Sequence, residues 1–149
     1  MILAKKVRLY PNEMQEQKLW KSVGTARFIY NWTLAKQEEN YKNGGKFMSD
    51  RVLRKELTKL KKTELNWLNE VSNNVAKQAV KDACDSYKRF FKGLSDKPKF
   101  KSRRRSKKSF YNDNCKLKVK EGRLVNIEKV GWIKTNDHCQ LELSIVTQE

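Results

Sequence analysis

The sequence predicts an α+β protein: one strand, then a small helical bundle, then a set of short strands. Three observations predict it. Residues 2–9 alternate between two faces and run into Pro11-Asn12, as a strand ending in a turn does. Between Glu13 and Gly93, apolar residues recur at steps of three and four, the spacing of a helix face. Beyond residue 108 the period falls to two, with turn residues between short apolar stretches.

Each element carries its own signals. Ile2, Ala4, Lys6 and Arg8 fall on one face of the first strand, and Leu3, Lys5, Val7 and Leu9 on the other. Asn12 is placed to cap a helix opening at Glu13, an acid that suits the positive end of the helix dipole. Its apolar positions are Leu19, Val23, Ala26, Tyr30, Leu34 and Tyr41. Gly24 predicts a break into a short helix and a longer one, and Asn43-Gly44-Gly45 predicts the end. Ser49 caps a second helix with Leu53, Leu57 and Leu60 on one face. Thr63 or Glu64 opens a short piece holding Trp67, Leu68 and Val71.

Ser72 caps a third long helix with the stripe Val75, Ala79, Ala83, Tyr87, Phe90 and Phe91, ending at Gly93. Small residues at 76, 79 and 83 admit a neighbouring helix at close range. Trp20, Tyr30, Trp32, Trp67 and Trp132 are spaced for packing, and most are expected in the core. Ser95–Phe100 is extended, because proline and its predecessor resist helix. Cys115–Lys120 and Leu124–Ile127 form a hairpin about Glu121-Gly122-Arg123. Gly131–Ile133 and Leu141–Ile145 supply further strands.

The charge narrows the function. Among 149 residues, 34 are Lys or Arg and 17 are acidic, a net charge of +17. So much like charge implies an anionic partner. The excess is local: residues 96–108 hold eight basic residues and one acid, whereas residues 109–149 hold six of each. No apolar run approaches the ~20 residues of a spanning helix, and Met1–Ala4 is followed at once by Lys5-Lys6, so neither a membrane partner nor a signal peptide is expected. Cys84, Cys115 and Cys139 stand singly and read as reduced thiols. A zinc site from Cys115, His138 and Cys139 lacks paired-ligand spacing and is not expected.

Catalysis is not expected either. Gly44-Gly45-Lys46 lacks the upstream glycine of a phosphate loop, and one histidine leaves no Ser-His-Asp arrangement. Asp82, Asp85, Glu38 and Glu39 read as solvated or ion-paired helix-surface acids. No cofactor and no metal are called for.

Two surfaces read as nucleic-acid-binding. The first is the arm carrying Lys97, Lys99, Phe100, Lys101, Arg103, Arg104, Arg105, Lys107 and Lys108. Its cations track phosphates and its aromatic either stacks on a base or anchors the arm. The second is the polar face at the start of the third long helix, with Asn73, Asn74, Lys77, Gln78 and Lys81. Amide side chains read adenine edges and lysines hold phosphates.

Several stretches carry a resemblance: Val7–Asn12, Ala26–Asn31, Trp67–Val71, Tyr87–Phe91, Pro98–Lys101 and Gly131–Thr135. In this order, over roughly residues 1–135, they resemble the N-terminal part of the TnpB family. These are transposon-encoded RNA-guided DNA nucleases related to the compact type V CRISPR effectors. The resemblance implies that residues 1–10 and 94–149 build an oligonucleotide-binding-like β-barrel, the wedge, with residues 94–108 as its basic arm. Residues 11–93 would be a helical recognition lobe inserted into it. It implies contacts with guide RNA, the guide–target duplex and a short motif flanking the target. Asn73, Asn74, Lys77 and Gln78 match the region touching that motif, and Asp50 and Arg51 lie near another such contact.

There are departures. Ile127-Glu128-Lys129 replaces the commoner leucine-proline-lysine, and the match fades after Thr135. The RNase H-like domain with its three acids and CxxC zinc ribbon has no counterpart here, so nuclease activity is not carried over. The expectation is a truncated or stand-alone TnpB-like protein of the prokaryotic cytoplasm, nucleoid-associated, binding structured RNA or duplex DNA. The rival readings are half of a split nuclease completed by a separate catalytic chain, a helix-turn-helix DNA regulator, and an inhibitor of a related effector.

Overall fold

The computed structural model describes residues 6–113, 115–120 and 123–135. The elements are β1 (Leu9–Tyr10), α1 (Glu13–Lys42), α2 (Asp50–Leu60), a 3-10 turn (Asn66–Glu70), α3 (Asn73–Phe91), β2 (Lys118–Lys120), β3 (Leu124–Ile127) and β4 (Gly131–Thr135). They form two units, one from residues up to Lys21 and from Asn112 onward, the other from Ser22–Tyr111.

The first unit holds an antiparallel sheet of order β1-β4-β3-β2. The pair β2–β3 is the expected hairpin, with Lys118 opposite Asn126 and Lys120 opposite Leu124. Arg123 takes the left-handed conformation there, at φ 75°. Register sets the faces: Val125, Ile127 and Ile133 are buried, and Trp132 points to the wetter side. Among the described residues the sheet is open, with β1 and β2 at its edges, so the expected barrel is seen only as this open sheet. The expected strand at Leu141–Ile145 lies outside the described residues, as does the part of the first alternation that precedes Lys6.

The start of α1 belongs to this unit and is fixed by a reciprocal pair. Gln15 N–H donates to Asn12 Oδ1 at 2.9 Å, and Asn12 N–H donates to Gln15 Oε1 at 3.0 Å. Two otherwise orphaned amides are thereby satisfied. Gln15 Nε2 also donates to the Trp132 carbonyl of β4 at 2.6 Å.

The second unit is the helical bundle. The expected break at Gly24 does not occur: α1 runs unbroken from Glu13 to Lys42. A glycine inside a helix costs about 1 kcal/mol relative to alanine, less than thirty residues of hydrogen bonds and packing supply. At the C-terminal end, Asn40 accepts from Gly45 N–H through its carbonyl and donates through Nδ2 to the Lys46 carbonyl. Its side chain occupies the space a Cβ on Gly45 would need. Ser49 caps α2 by accepting from Val52 N–H, and Ser72 caps α3 by accepting from Asn74 N–H. Beyond α3, Gly93 adopts φ 73°, and Leu94 N–H reaches back to the Arg89 carbonyl.

The core joins Ile29 of α1, Leu53 and Leu57 of α2, Leu68, and Ala76, Ala79, Val80 and Cys84 of α3. A second cluster joins Tyr30 and Leu34 with Ala83 and Tyr87. The small α3 residues thus stand where another element crosses, which lets backbones approach. The buried face of α1 is more polar than its apolar stripe suggests, because Ser22, Thr25, Thr33 and Gln37 also point inward. Each of the last two has a partner. Thr33 Oγ1 donates to the Ile29 carbonyl, and Gln37 exchanges two hydrogen bonds with the Met48 backbone.

The aromatic expectation needs correcting. Tyr30 is buried and Trp32 half-buried, but Trp20, Trp67 and Trp132 keep a third to a half of their surface in water, and Phe91 is 61% exposed. Their apolar bodies outnumber the places that so small a core offers.

Candidate nucleic-acid interface

Every residue of the two expected surfaces lies in the Ser22–Tyr111 unit. After α3 the chain turns back and runs in extended form along α1. Lys97 Nζ lies 3.8 Å from Glu38 Oε1, and the same carboxylate meets Lys42 Nζ at 3.8 Å. Pro98 and Phe100 share a shallow pocket with Leu34 and Tyr87. At Lys101 the contact becomes directional. Lys101 N–H donates to Asn31 Oδ1 at 2.7 Å, and Asn31 Nδ2 donates to the Lys101 carbonyl at 2.9 Å. The Lys101 ammonium stands 4.1 Å from the centre of the Tyr30 ring, within cation–π range.

Past this point the arm turns through Arg103, Arg104 and Arg105, where Arg105 N–H donates to Ser102 Oγ at 3.0 Å. These three arginines are exposed, as are Lys97, Lys99, Phe100, Lys101, Lys107 and Lys108.

On the helix surface, Asp82 lies within electrostatic reach of Lys101. Gln78 Nε2 donates to Asp82 Oδ1 at 2.8 Å. Partial burial raises the Asp82 carboxyl above its ordinary value; the Gln78 hydrogen bond, Lys101 and Lys81 oppose that rise, while Asp85 adds to it. Asp82 thus feels a cation from each of the two surfaces read separately from the sequence, Lys101 of the arm and Lys81 of the helix. Farther up the helix, Asn73 accepts from Lys61 Nζ at 2.9 Å, Lys77 is exposed and Asn74 is half-buried. Asp50 pairs with Arg54 at 3.3 Å, and Arg51 is exposed.

An aromatic cleft of about 310 Å³ opens beside the arm, lined by Tyr41, Phe47, Tyr87, Phe90 and Phe91, with Glu38 and Lys97 at its side. Sequence reading took Phe90 and Phe91 as core. What it missed altogether is the role of Asn31, whose only signal was its place in the Ala26–Asn31 stretch. Among the described residues no group of three His, Cys, Asp or Glu could hold a metal ion, and no helix is long and apolar enough to cross a membrane. His138 and Cys139 lie outside the described residues.

Fold and site define a strongly basic chain of the α+β class. The OrfB IS605 helix-turn-helix domain matches residues 1–46, which here comprise β1, α1 and the turn that follows it. A protein of Escherichia coli strain K12 named as an RNA-guided DNA endonuclease, InsQ, is 30% identical over 137 residues, 91% of this chain and 34% of that protein. Another of Streptomyces pristinaespiralis, also named as an RNA-guided DNA endonuclease, is 33% identical over 105 residues, 70% of this chain and 26% of that protein. The chain is similar to these proteins over most of its own length, and it spans about a third or less of theirs.

Proposed function

We propose that this chain binds nucleic acid, guide RNA or target-flanking DNA, through the basic arm together with the adjoining face of α3. The observation that carries the reading is the docking of the basic arm at Lys101, on Asn31 and Tyr30. An arm with eight cations in residues 96–108 is pinned to α1 at Asn31, and its Pro98 and Phe100 share a pocket with Tyr87 of α3, the helix that also presents Gln78 and Lys81. A continuous surface of this kind grips phosphates along the arm and offers amide side chains to base edges beside it.

In this reading the chain binds and does not cut, and the cleavage in its relatives' names is not carried over. The open sheet of the first unit is part of the wedge barrel, and residues 11–93 are the recognition lobe. Lys97, Lys99, Arg103, Arg104, Arg105, Lys107 and Lys108 supply phosphate contacts. Asn73, Asn74, Lys77 and Gln78 face the flanking motif.

The test is binding to a structured RNA from the 3′ flank of the chain's own gene, against duplex DNA, across a salt series. About six phosphate contacts give a log–log slope near −5 on duplex, and somewhat less on single strands. Replacing Arg103, Arg104 and Arg105 by alanine is expected to flatten that slope by roughly 2–3. An unchanged slope refutes the arm as the phosphate-binding element. Preference for a palindromic duplex bound by a dimer would favour the DNA-regulator reading.

A further inference from the structure

The arm contains one lysine whose surroundings differ from those of its neighbours. Lys101 has its backbone N–H and C=O both engaged by a single carboxamide, that of Asn31, at 2.7 and 2.9 Å. Its ammonium lies over the Tyr30 ring at 4.1 Å and within the electrostatic reach of Asp82. Tyr30 is itself fixed, with 9% of its surface exposed and its hydroxyl donating to Ser86 Oγ on α3 at 3.1 Å. An asparagine that satisfies both polar groups of one residue acts like a strand partner one residue long. It fixes where the chain lies along α1 and which way the next residues leave.

We propose that Asn31 is a positioning residue for the nucleic-acid interface and that Lys101 is an anchor, not a phosphate contact. Asn31 and Tyr30 hold the arm at Lys101, so the turn at Arg103–Arg105 is presented in one place before any ligand arrives. The benefit is entropic. Each flexible arginine-bearing residue loses conformational freedom on binding, and a segment already held in place loses less. The inference rests on the reading of the arm as the phosphate-binding element, and it makes a different prediction from that reading. Loss of a phosphate contact changes the salt slope; loss of pre-organisation lowers affinity at every salt concentration and leaves the slope alone.

The experiment uses the full chain with a fluorescein-labelled RNA hairpin and a DNA duplex, titrated over a salt series. The variants are Asn31→Ala, Lys101→Gln and the Arg103→Ala/Arg104→Ala/Arg105→Ala triple. Asn31→Ala places a good helix former on α1 and is expected to keep the wild-type melting temperature. Its affinity is expected to fall roughly tenfold at each salt concentration with an unchanged slope, the scale of one or two ordinary hydrogen bonds. Limited trypsin digestion is expected to cut faster at Arg103–Arg105. Lys101→Gln is expected to behave likewise, with no loss of slope.

Wild-type affinity for Asn31→Ala overturns the positioning role. A slope flattened by roughly 0.7–0.9 in Lys101→Gln overturns the anchor, because that is the signature of one lost phosphate contact. If instead the triple variant keeps the wild-type slope, the arm is not the phosphate-binding element, and it is the proposed function that fails.

Discussion

Replacing Ala83 by leucine tests the packing on which the interface depends. Ala83 has no exposed surface and clusters with Tyr30 and Leu34 of α1 and with Tyr87 one turn along α3. Leucine adds three carbons where nothing can move into solvent. Overpacking of this kind costs about 1–3 kcal/mol, and a fully enclosed position belongs at the upper end. In a domain the size of the Ser22–Tyr111 unit, each kcal/mol moves the melting temperature by about 4–8 °C, so 2–3 kcal/mol lowers it by about 8–24 °C. The consequence reaches the site, because one of the side chains clustered with Ala83 is Tyr30, the ring beneath Lys101. The assay is thermal unfolding followed by circular dichroism, with Lys88→Leu on the exposed side of the same helix as control. That control is expected to stay within about 0.5 kcal/mol of wild type. Should Ala83→Leu do the same, α1 and α3 do not meet at Ala83, and the support described for the arm is wrong.

Two further outcomes follow from single residues. Gly24 sits inside α1, and a Cβ there would meet nothing within 4 Å, so Gly24→Ala is expected to stabilise the chain by about 0.5–1 kcal/mol in urea unfolding; a destabilised variant would mean that the helix is not continuous at that point. Burial pushes the Cys84 thiol up to about 11 from an ordinary 9.0. The sign follows from the neutral thiol being favoured in the fold: its contribution to stability is complete below pH 9 and is lost as pH rises toward 11. At pH 8 the native thiolate is therefore about 100-fold scarcer than in unfolded chain. With Cys115 and Cys139 replaced by serine, iodoacetamide is expected to label Cys84 slowly in buffer and rapidly in urea, and equal rates would place Cys84 outside the core.

The reading of individual elements divides along a physical line. Helix ends were legible where a local hydrogen bond makes them. Asn12, Ser49 and Ser72 each accept an amide from two or three residues ahead, a contact that needs only its own segment. The hairpin between β2 and β3 and the small-residue face of α3 were legible for the same reason, since period two and the three-four spacing are properties of neighbouring residues. The confinement of charge to residues 96–108 is likewise plain in the sequence, because charge needs no fold to be counted.

What decided the rest lies far apart in the chain. Gly24 predicts a break because propensity is local, whereas the packing that carries α1 through it is not. Gln37 is buried because the fold brings the Met48 backbone, eleven residues on and beyond the end of α1, to its carboxamide. The exposure of Trp67 and Phe91 followed from how little interior the helices enclose.

Asn31 and Lys101 are 70 residues apart, and no periodicity connects them. By itself the sequence determined which segments become helix or strand and where the positive charge sits, since those follow from interactions between near neighbours. Only the tertiary structure decided which of eight arm cations lies over the Tyr30 ring and what holds it there. That choice depends on which surfaces meet when α1, α3 and the returning arm bury their apolar faces together.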